Sequence, residues 1–420
     1  MSTTANHLNN HTSHAPCSHL ARRLPRAAKL FHALMQRIDC GTLTFTSPEG
    51  NVSHFRGAHV GPDADIRFDD WGVAAAAIQS AEIGLAECYR DGRLHTSDLT
   101  AFLMLCAANQ TALERAFYGK PWVALLFRIK HMLRFNTRAN AKKNIHAHYD
   151  LSNDFYRLWL DESVTYSSAI FDADPPPLVD AQSMAAAQIA KYQRILAILN
   201  PEPGETILEI GCGWGGFAEY AARTRGVRVT GITLSNAQLV YARKRIADAG
   251  VADKVELQLV DYRDVRGQFD HVVSIEMFEA VGERFWPTYF NALHARLKPG
   301  GRAVVQTITI AEDAFDRYRQ TSDFIREFIF PGGMLAPIPH FIALARAAGL
   351  TVGEPYRFGL DYARTVKWWH ERVIEKNALI RPLGFDERFL QLWRFYLSYS
   401  EAGFRSGRCD VMQIELTRPG

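Results

Sequence analysis

The segment Leu208-Glu209-Ile210-Gly211-Cys212-Gly213-Trp214-Gly215-Gly216 closes an apolar run and opens a helical one, giving an E-x-G-x-G-x-G loop. Gly211 and Gly213 permit a tight turn and the close approach of a ligand, and the N-terminus of the helix that follows favours a carboxylate. Glycine loops of this kind occur in several nucleotide-binding folds. Here Glu209 stands two residues before the first glycine and no Lys-Ser/Thr pair follows, which points to S-adenosylmethionine rather than a nucleoside triphosphate. The next strand-like run ends in Gly231-Ile232-Thr233-Leu234-Ser235, followed by Gln238. A nicotinamide-binding fold places an Asp or Glu there for the ribose hydroxyls. This chain does not.

These residues need a sheet to carry them, and the sequence supplies one. TILEIG, VRVTGIT, VELQLVD, HVVSIE and RAVVQTITI are strand-like runs separated by segments long enough for crossover helices. That alternation predicts an α/β fold with a doubly wound, mainly parallel sheet, whose ligands sit at the carboxyl ends of the strands. Upstream, GTLTFTSPEGNVSHFRG reads as two strands around a turn and Trp71 to Tyr89 as a helix, a small N-terminal α+β domain. The expected organisation is a disordered His/Asn/Ser/Thr-rich tail over 1–20, a lipid- and membrane-associated domain over 21–135, a basic linker over 136–147 and the catalytic domain over 148–420.

With 420 residues and 47% hydrophobic composition the chain can bury two cores, and 48 Lys+Arg against 45 Asp+Glu exclude a nucleic-acid binder on overall charge. The six cysteines are scattered without C-x-x-C or other metal-ligand spacing, so no metal site and a reduced, cytoplasmic setting are expected. No apolar stretch has the length of a signal peptide or a membrane span.

Several separated motifs in order complete the pattern: His148-Tyr149-Asp150-Leu151-Ser152-Asn153-Asp154-Phe155-Tyr156, Leu160-Asp161, Tyr166-Ser167-Ser168, the glycine loop and G-I-T-L-S. After them come Glu276-Met277-Phe278-Glu279-Ala280-Val281-Gly282, Phe330-Pro331-Gly332-Gly333, Asp361-Tyr362-Ala363-Arg364-Thr365 and Glu401-Ala402-Gly403-Phe404-Arg405. Over residues 21–420 this resembles the cyclopropane-fatty-acid synthase family. The resemblance implies a Rossmann-like class I methyltransferase sheet and transfer of a one-carbon unit from S-adenosylmethionine to the double bond of an unsaturated acyl chain in a phospholipid. A helical lid over about 312–340 would cover that chain, bending at Pro331-Gly332-Gly333.

Carried over residue by residue, the resemblance assigns the cofactor to Tyr166, Ser167, Glu209, Gly211, Gly213, Gly215, Thr233, Gln238, Tyr262 and Arg263. For Tyr262 ordinary packing is the competing reading. Ring closure needs a base, which the resemblance implies is a bicarbonate held by Glu279, the Tyr362 phenol and the Ile308 backbone. Ser168 stands where the family has Cys, Gln306 where it often has His, and Ser400 where it has Cys. A thiol nucleophile is excluded at these positions, and an amide cannot carry an imidazolium's charge. The chain is rich in aromatic residues suited to a carbocation, but none is singled out.

From Arg115 through Tyr149 there are eight Lys/Arg and no Asp or Glu, with Trp122, Leu125, Leu126, Ile129, Met132 and Leu133 on one helical face. Such a segment can lie on an anionic membrane surface, or pack its stripe on the protein's own core. The expected location is cytoplasmic and peripheral at the inner face of the cell membrane, with a homodimer left open. Two other readings compete: a methyltransferase giving a methyl- or methylene-branched acyl chain without a ring, and a non-catalytic phospholipid-binding protein.

Overall fold

The computed structural model describes residues 25–117, 151–171 and 178–420. The N-terminal tail, most of the basic segment from 115 to 143, the linker and His148-Tyr149-Asp150 lie outside the described residues.

The first unit holds α1 (Arg26–Met35), β1 (Cys40–Thr46), β2 (Val52–Arg56), β3 (His59–Phe68), α2 (Gly72–Arg90), β4 (Leu94–His95), α3 (Leu99–Ala108) and α4 (Gln110–Phe117). Its sheet runs β2-β1-β3-β4, with the predicted β1–β2 hairpin antiparallel. The residue alternation in β1 puts Leu43 and Phe45 inward, where Phe45 meets Phe31 at 4.8 Å and Phe68 at 5.0 Å between ring centroids. The helix predicted from Trp71 to Tyr89 is present but kinked at Ser80 and Ala81, where Ala81 has φ +47°.

The second unit begins with α5 (Asn153–Trp159) and α6 (Ala181–Leu199). It continues β5 (Thr206–Ile210), α7 (Gly216–Arg225), β6 (Arg228–Thr233), α8 (Asn236–Asp248), β7 (Val255–Leu259), β8 (Phe269–Ile275), α9 (Trp286–Arg296), β9 (Leu297–Ile310), α10 (Glu312–Tyr318) and α11 (Ile338–Ala347). The two-residue strands β10 (Thr351–Val352) and β11 (Tyr356–Arg357), α12 (Gly359–Glu375), two short helical turns (Asn377–Ile380 and Arg381–Leu383), α13 (Glu387–Arg405) and β12 (Cys409–Thr417) follow. Strand order is β10-β12-β9-β8-β5-β6-β7, with β11 also on β12.

The five predicted strands are the five parallel ones, β5 through β9. The inner ones are legible because both faces of a parallel sheet are covered, so their sequences run apolar, whereas the edge strand β7 alternates as VELQL with one buried residue. The sequence reading had no β12, which pairs antiparallel along the whole inner part of β9. Its run CDVMQIELT carries a buried Gln413 at its centre, which breaks the apolar signal. Successive strands are added to one side of β5 as β6 and β7 and then to the other as β8 and β9, so the crevice at its carboxyl end is the topological switch point.

The hydrophobic core of the first unit is continuous with the face of α12 and α13. Tyr89 meets Phe395 at 5.9 Å, and the Thr100 hydroxyl donates to Glu401 Oε2 at 3.1 Å. Between β9 and α11, the region predicted as a lid holds α10, a π-helical turn (Ile325–Ile329) and a turn through Gly332 at φ +82°. Met334 N then donates to Glu279 O at 2.9 Å, tying this segment to the end of β8.

Candidate active site

At the end of β5 the chain turns through Gly211, Gly213 and Gly215 at φ +86°, +51° and +83°, backbone that a side chain would strain. Gly211 N and Cys212 N both donate to Ile232 O, at 3.0 and 2.9 Å, locking the loop to β6. A Cβ on Gly213 would meet nothing within 4 Å, whereas one on Gly211 would touch the Met277 side chain at 3.0 Å. The loop therefore has open space above Gly213 and borders the segment that carries Glu276 and Glu279.

Around that space the predicted cofactor residues sort themselves. Glu209 is buried, and its Oε2 has no hydrogen-bond partner. Desolvation pushes its carboxyl up to about 8 against the charges of Arg245 and Lys191. Ser235 caps α8 by accepting from Gln238 N at 3.2 Å, and Thr233 Oγ1 donates to Gln238 Oε1 at 2.8 Å. The G-I-T-L-S-x-x-Q motif is thus a capped turn that fixes Gln238 against the strand end. Beyond β7, the Tyr262 hydroxyl is buried without a partner, and burial raises it to about 12. Arg263 is held by Asp261 through two bonds of 2.8 and 2.6 Å, and its guanidinium lies 5.5 Å from the Tyr262 ring. It positions that ring rather than offering a free charge. An open glycine turn, an unpaired carboxylate and an unpaired phenol fit S-adenosylmethionine, which has a carboxylate, an ammonium and ribose and adenine polar atoms to meet them.

The remaining site residues converge from distant elements. Glu279 lies in a short 3-10 turn after β8, and its Oε1 accepts from Thr307 Oγ1 at 2.9 Å and Ile308 N at 2.5 Å. Its Oε2 is buried without a partner, and desolvation together with the nearby Glu276 carboxyl pushes the group up to about 8. Glu276 had no role in the sequence reading, yet it gathers the other predicted residues. Its Oε1 accepts from Ser168 N at 2.8 Å and Gln306 Nε2 at 2.7 Å, and its Oε2 from the Tyr362 hydroxyl at 2.5 Å. The Ser168 hydroxyl turns away to Ala169 O, and Ser400 makes no hydrogen bond to these groups. Gln306 Oε1 accepts from Gln413 Nε2 at 2.9 Å while its Nε2 faces Glu276.

Sequence reasoning also passed over Lys191, which is fully buried on α6. It donates to Ser167 Oγ and Gln188 Oε1, both at 2.6 Å, and desolvation lowers it to about 7. Tyr166 shares a 2.7 Å hydrogen bond with Tyr396, and its ring packs on Trp369 and Trp159. Trp369 in turn meets the Tyr362 ring edge-on at 6.1 Å, so an aromatic wall runs from Tyr166, expected at the cofactor, to the carboxylates. Phe278 and Trp286 stack on each other at 5.6 Å in a separate core that includes α9.

Sheet order, glycine turn and strand-end residues together define a class I S-adenosylmethionine-dependent methyltransferase. Residues 136–414 match the family described as mycolic acid cyclopropane synthetase, and the chain belongs to it. It is 40% identical over 341 residues to tuberculostearic acid methyltransferase of Mycobacterium tuberculosis, covering 80% of this chain and 79% of that one. It is 32% identical to cyclopropane-fatty-acyl-phospholipid synthase of Escherichia coli K12, covering 84% and 88% respectively. A solved mycolic acid cyclopropane synthase, CmaA1 complexed with SAH and CTAB, superposes with TM-score 0.61 at 31% identity over 66% of this chain and 98% of that one. The non-catalytic lipid-binding reading is thereby set aside.

Proposed function

We propose that the enzyme alkylates the double bond of an unsaturated acyl chain carried by a membrane phospholipid. The observation that carries this reading is the pair of half-buried glutamates, Glu276 and Glu279, whose carboxyl groups are held by hydrogen bonds beside the glycine turn. Methylation of an oxygen or nitrogen needs no carbon acid to be deprotonated afterwards, whereas alkylation of an alkene leaves a carbocation that must lose a proton. When bound, S-adenosylmethionine supplies an electrophilic methyl group. The alkene's π pair forms the new carbon–carbon bond while the carbon–sulfur pair stays on sulfur. Trp369, Tyr166 and Tyr362 form a dry aromatic wall next to the carboxylates, which suits the cation on the neighbouring carbon.

The product we infer is a methylene-branched chain rather than a ring. The specific support is the greater identity to a tuberculostearic acid methyltransferase, 40%, than to a cyclopropane synthase, 32%. A hydride shift toward the carbocation followed by proton loss from the added methyl leaves a branch. Direct proton loss with carbon–carbon closure leaves the ring. A saturated branch then requires a two-electron reduction that the methyl donor does not provide. The enzyme works from the cytoplasmic face of the membrane, reached through the basic segment. Incubation of the protein with ¹³C-methyl-labelled cofactor and vesicles of unsaturated phospholipid, followed by ¹³C and ¹H NMR of the extracted lipid, tests both points. Label in an exomethylene carbon is expected; label in a cyclopropane carbon overturns the branched product, and label absent from the acyl chains overturns the reaction.

A further inference from the structure

The bicarbonate that the family resemblance implies needs free donors, and each of the donors assigned to it is already engaged by the chain. The Tyr362 hydroxyl, the Gln306 amide and Ser168 N all point to the carboxylate of Glu276, while Ile308 N points to Glu279. A planar three-atom carboxylate accepting on both oxygens is what a bound bicarbonate would present to the same groups. Glu276 reaches this place at a cost: it is one of five described non-glycine residues with positive φ, at +48°. Glutamate rarely adopts that backbone, and such residues persist where the surroundings hold them. Here its own N–H donates to Gln306 O at 2.8 Å, closing the strand end around the side chain.

We infer that Glu276 takes the place of bicarbonate, so that this enzyme carries its proton acceptor in its own chain and works without the dissolved anion. The inference rests on the alkene reaction proposed above. In its second half, the carbon–hydrogen pair of the alkylated chain becomes the new carbon–carbon bonding pair and the proton passes to the Glu276 carboxylate. Desolvation leaves this carboxyl above the ordinary glutamate range, a stronger base once ionised, while the hydrogen bonds from Tyr362, Gln306 and Ser168 and the charge of Lys191 work against that rise. Glu279, bonded on one oxygen and bare on the other, stands beside it to pass the proton on.

The test compares the parent with Glu276→Gly, since glycine accepts φ +48° and its missing side chain leaves the donors facing a vacant anion position. In carbonate-free buffer under inert gas, parent turnover should stay within about twofold of its value in added bicarbonate. Glu276→Gly should fall by about a hundredfold and recover when bicarbonate is added. Glu276→Gln, which keeps the volume but not the charge, should fall as far and not recover. Calorimetric titration of bicarbonate into protein saturated with S-adenosylhomocysteine gives a readout that needs no lipid substrate: binding to Glu276→Gly and none to the parent. A parent that binds bicarbonate, or that loses activity without it, overturns the inference. If no lipid is alkylated under any condition while the calorimetry follows this pattern, the anion position is confirmed and the proposed reaction fails instead.

Discussion

Glu279 has donors on one carboxyl oxygen and none on the other, and this arrangement sets what its replacement does. Glu279→Gln keeps an acceptor for Thr307 and Ile308 but removes the group's ability to exchange a proton. Turnover should fall by about a hundredfold, ~3 kcal/mol of barrier, with the S-adenosylmethionine dissociation constant changed by less than about threefold. Steady-state rates and calorimetry check this, and turnover close to that of the parent would remove Glu279 from the chemistry. Glu209 tests the cofactor side through pH. Its carboxyl moves from 4.5 to about 8 on folding, so between those values the folded protein keeps a proton that the unfolded chain has lost. Stability contributed by Glu209 is therefore present below pH 4.5 and lost as pH rises toward 8. Glu209→Gln should have a thermal midpoint that falls less than the parent's between pH 5 and 8, in scans without ligand. The same variant should bind S-adenosylmethionine about tenfold more weakly, as expected for loss of one hydrogen bond between the carboxyl and the ligand.

At the scale of elements, the turn from β5 into α7 works because three glycines hold left-handed backbone in succession along it. Gly213 is the informative one, because a Cβ there has no protein neighbour to strike. Gly213→Val should thus cost the fold only the backbone strain, about 1–3 kcal/mol, while its side chain fills the space assigned to the ligand. Calorimetry should show cofactor binding lost, with circular dichroism and a cooperative melt retained. Unchanged affinity in a folded variant would place the cofactor elsewhere. The G-I-T-L-S turn acts in the same economical way. Ser235 caps α8, and Thr233 restrains Gln238, so the strand end is shaped by hydroxyl and amide groups where an acidic residue would otherwise stand.

For the whole molecule the question is how an enzyme reaches a lipid. Among the described residues no helix is long and apolar enough to cross a membrane. The basic run from Arg115 to Lys143 is the feature of the sequence that suits an anionic surface, each cation contributing about 1 kcal/mol near it and less as salt rises. Replacing Arg128, Lys130 and Arg134 with Gln should reduce co-sedimentation with anionic vesicles at low salt by about tenfold or more, and much less at high salt. Cofactor affinity without vesicles should not move. Equal sedimentation of parent and variant at low salt would show that these cations only solvate an exposed face. The first unit is also joined to the second by packing as well as by sequence, with α2 and α3 against α13 and Arg388 bonded to Asp91 at 2.7 Å.

The five parallel strands, the glycine turn and the presence of Glu279 were determined locally, by apolar runs, turn residues and a carboxylate in a short motif, and local signals can be read along a chain. The antiparallel β12 was not, because Gln413 interrupts its pattern and earns its burial only from Gln306 on the neighbouring strand. Nor could the role of Glu276 be read, although it stands three residues before Glu279. Its donors lie 108, 30 and 86 residues away in the chain, at Ser168, Gln306 and Tyr362. Lys191 likewise looks like an ordinary helix-surface lysine until α6 packs it beside Ser167 and Gln188. Strand order and helix packing decide which polar groups are brought together away from water, where pairing a donor with a carboxylate offsets its lost hydration, so the tertiary structure alone chose which carboxylate the predicted ligands would hold.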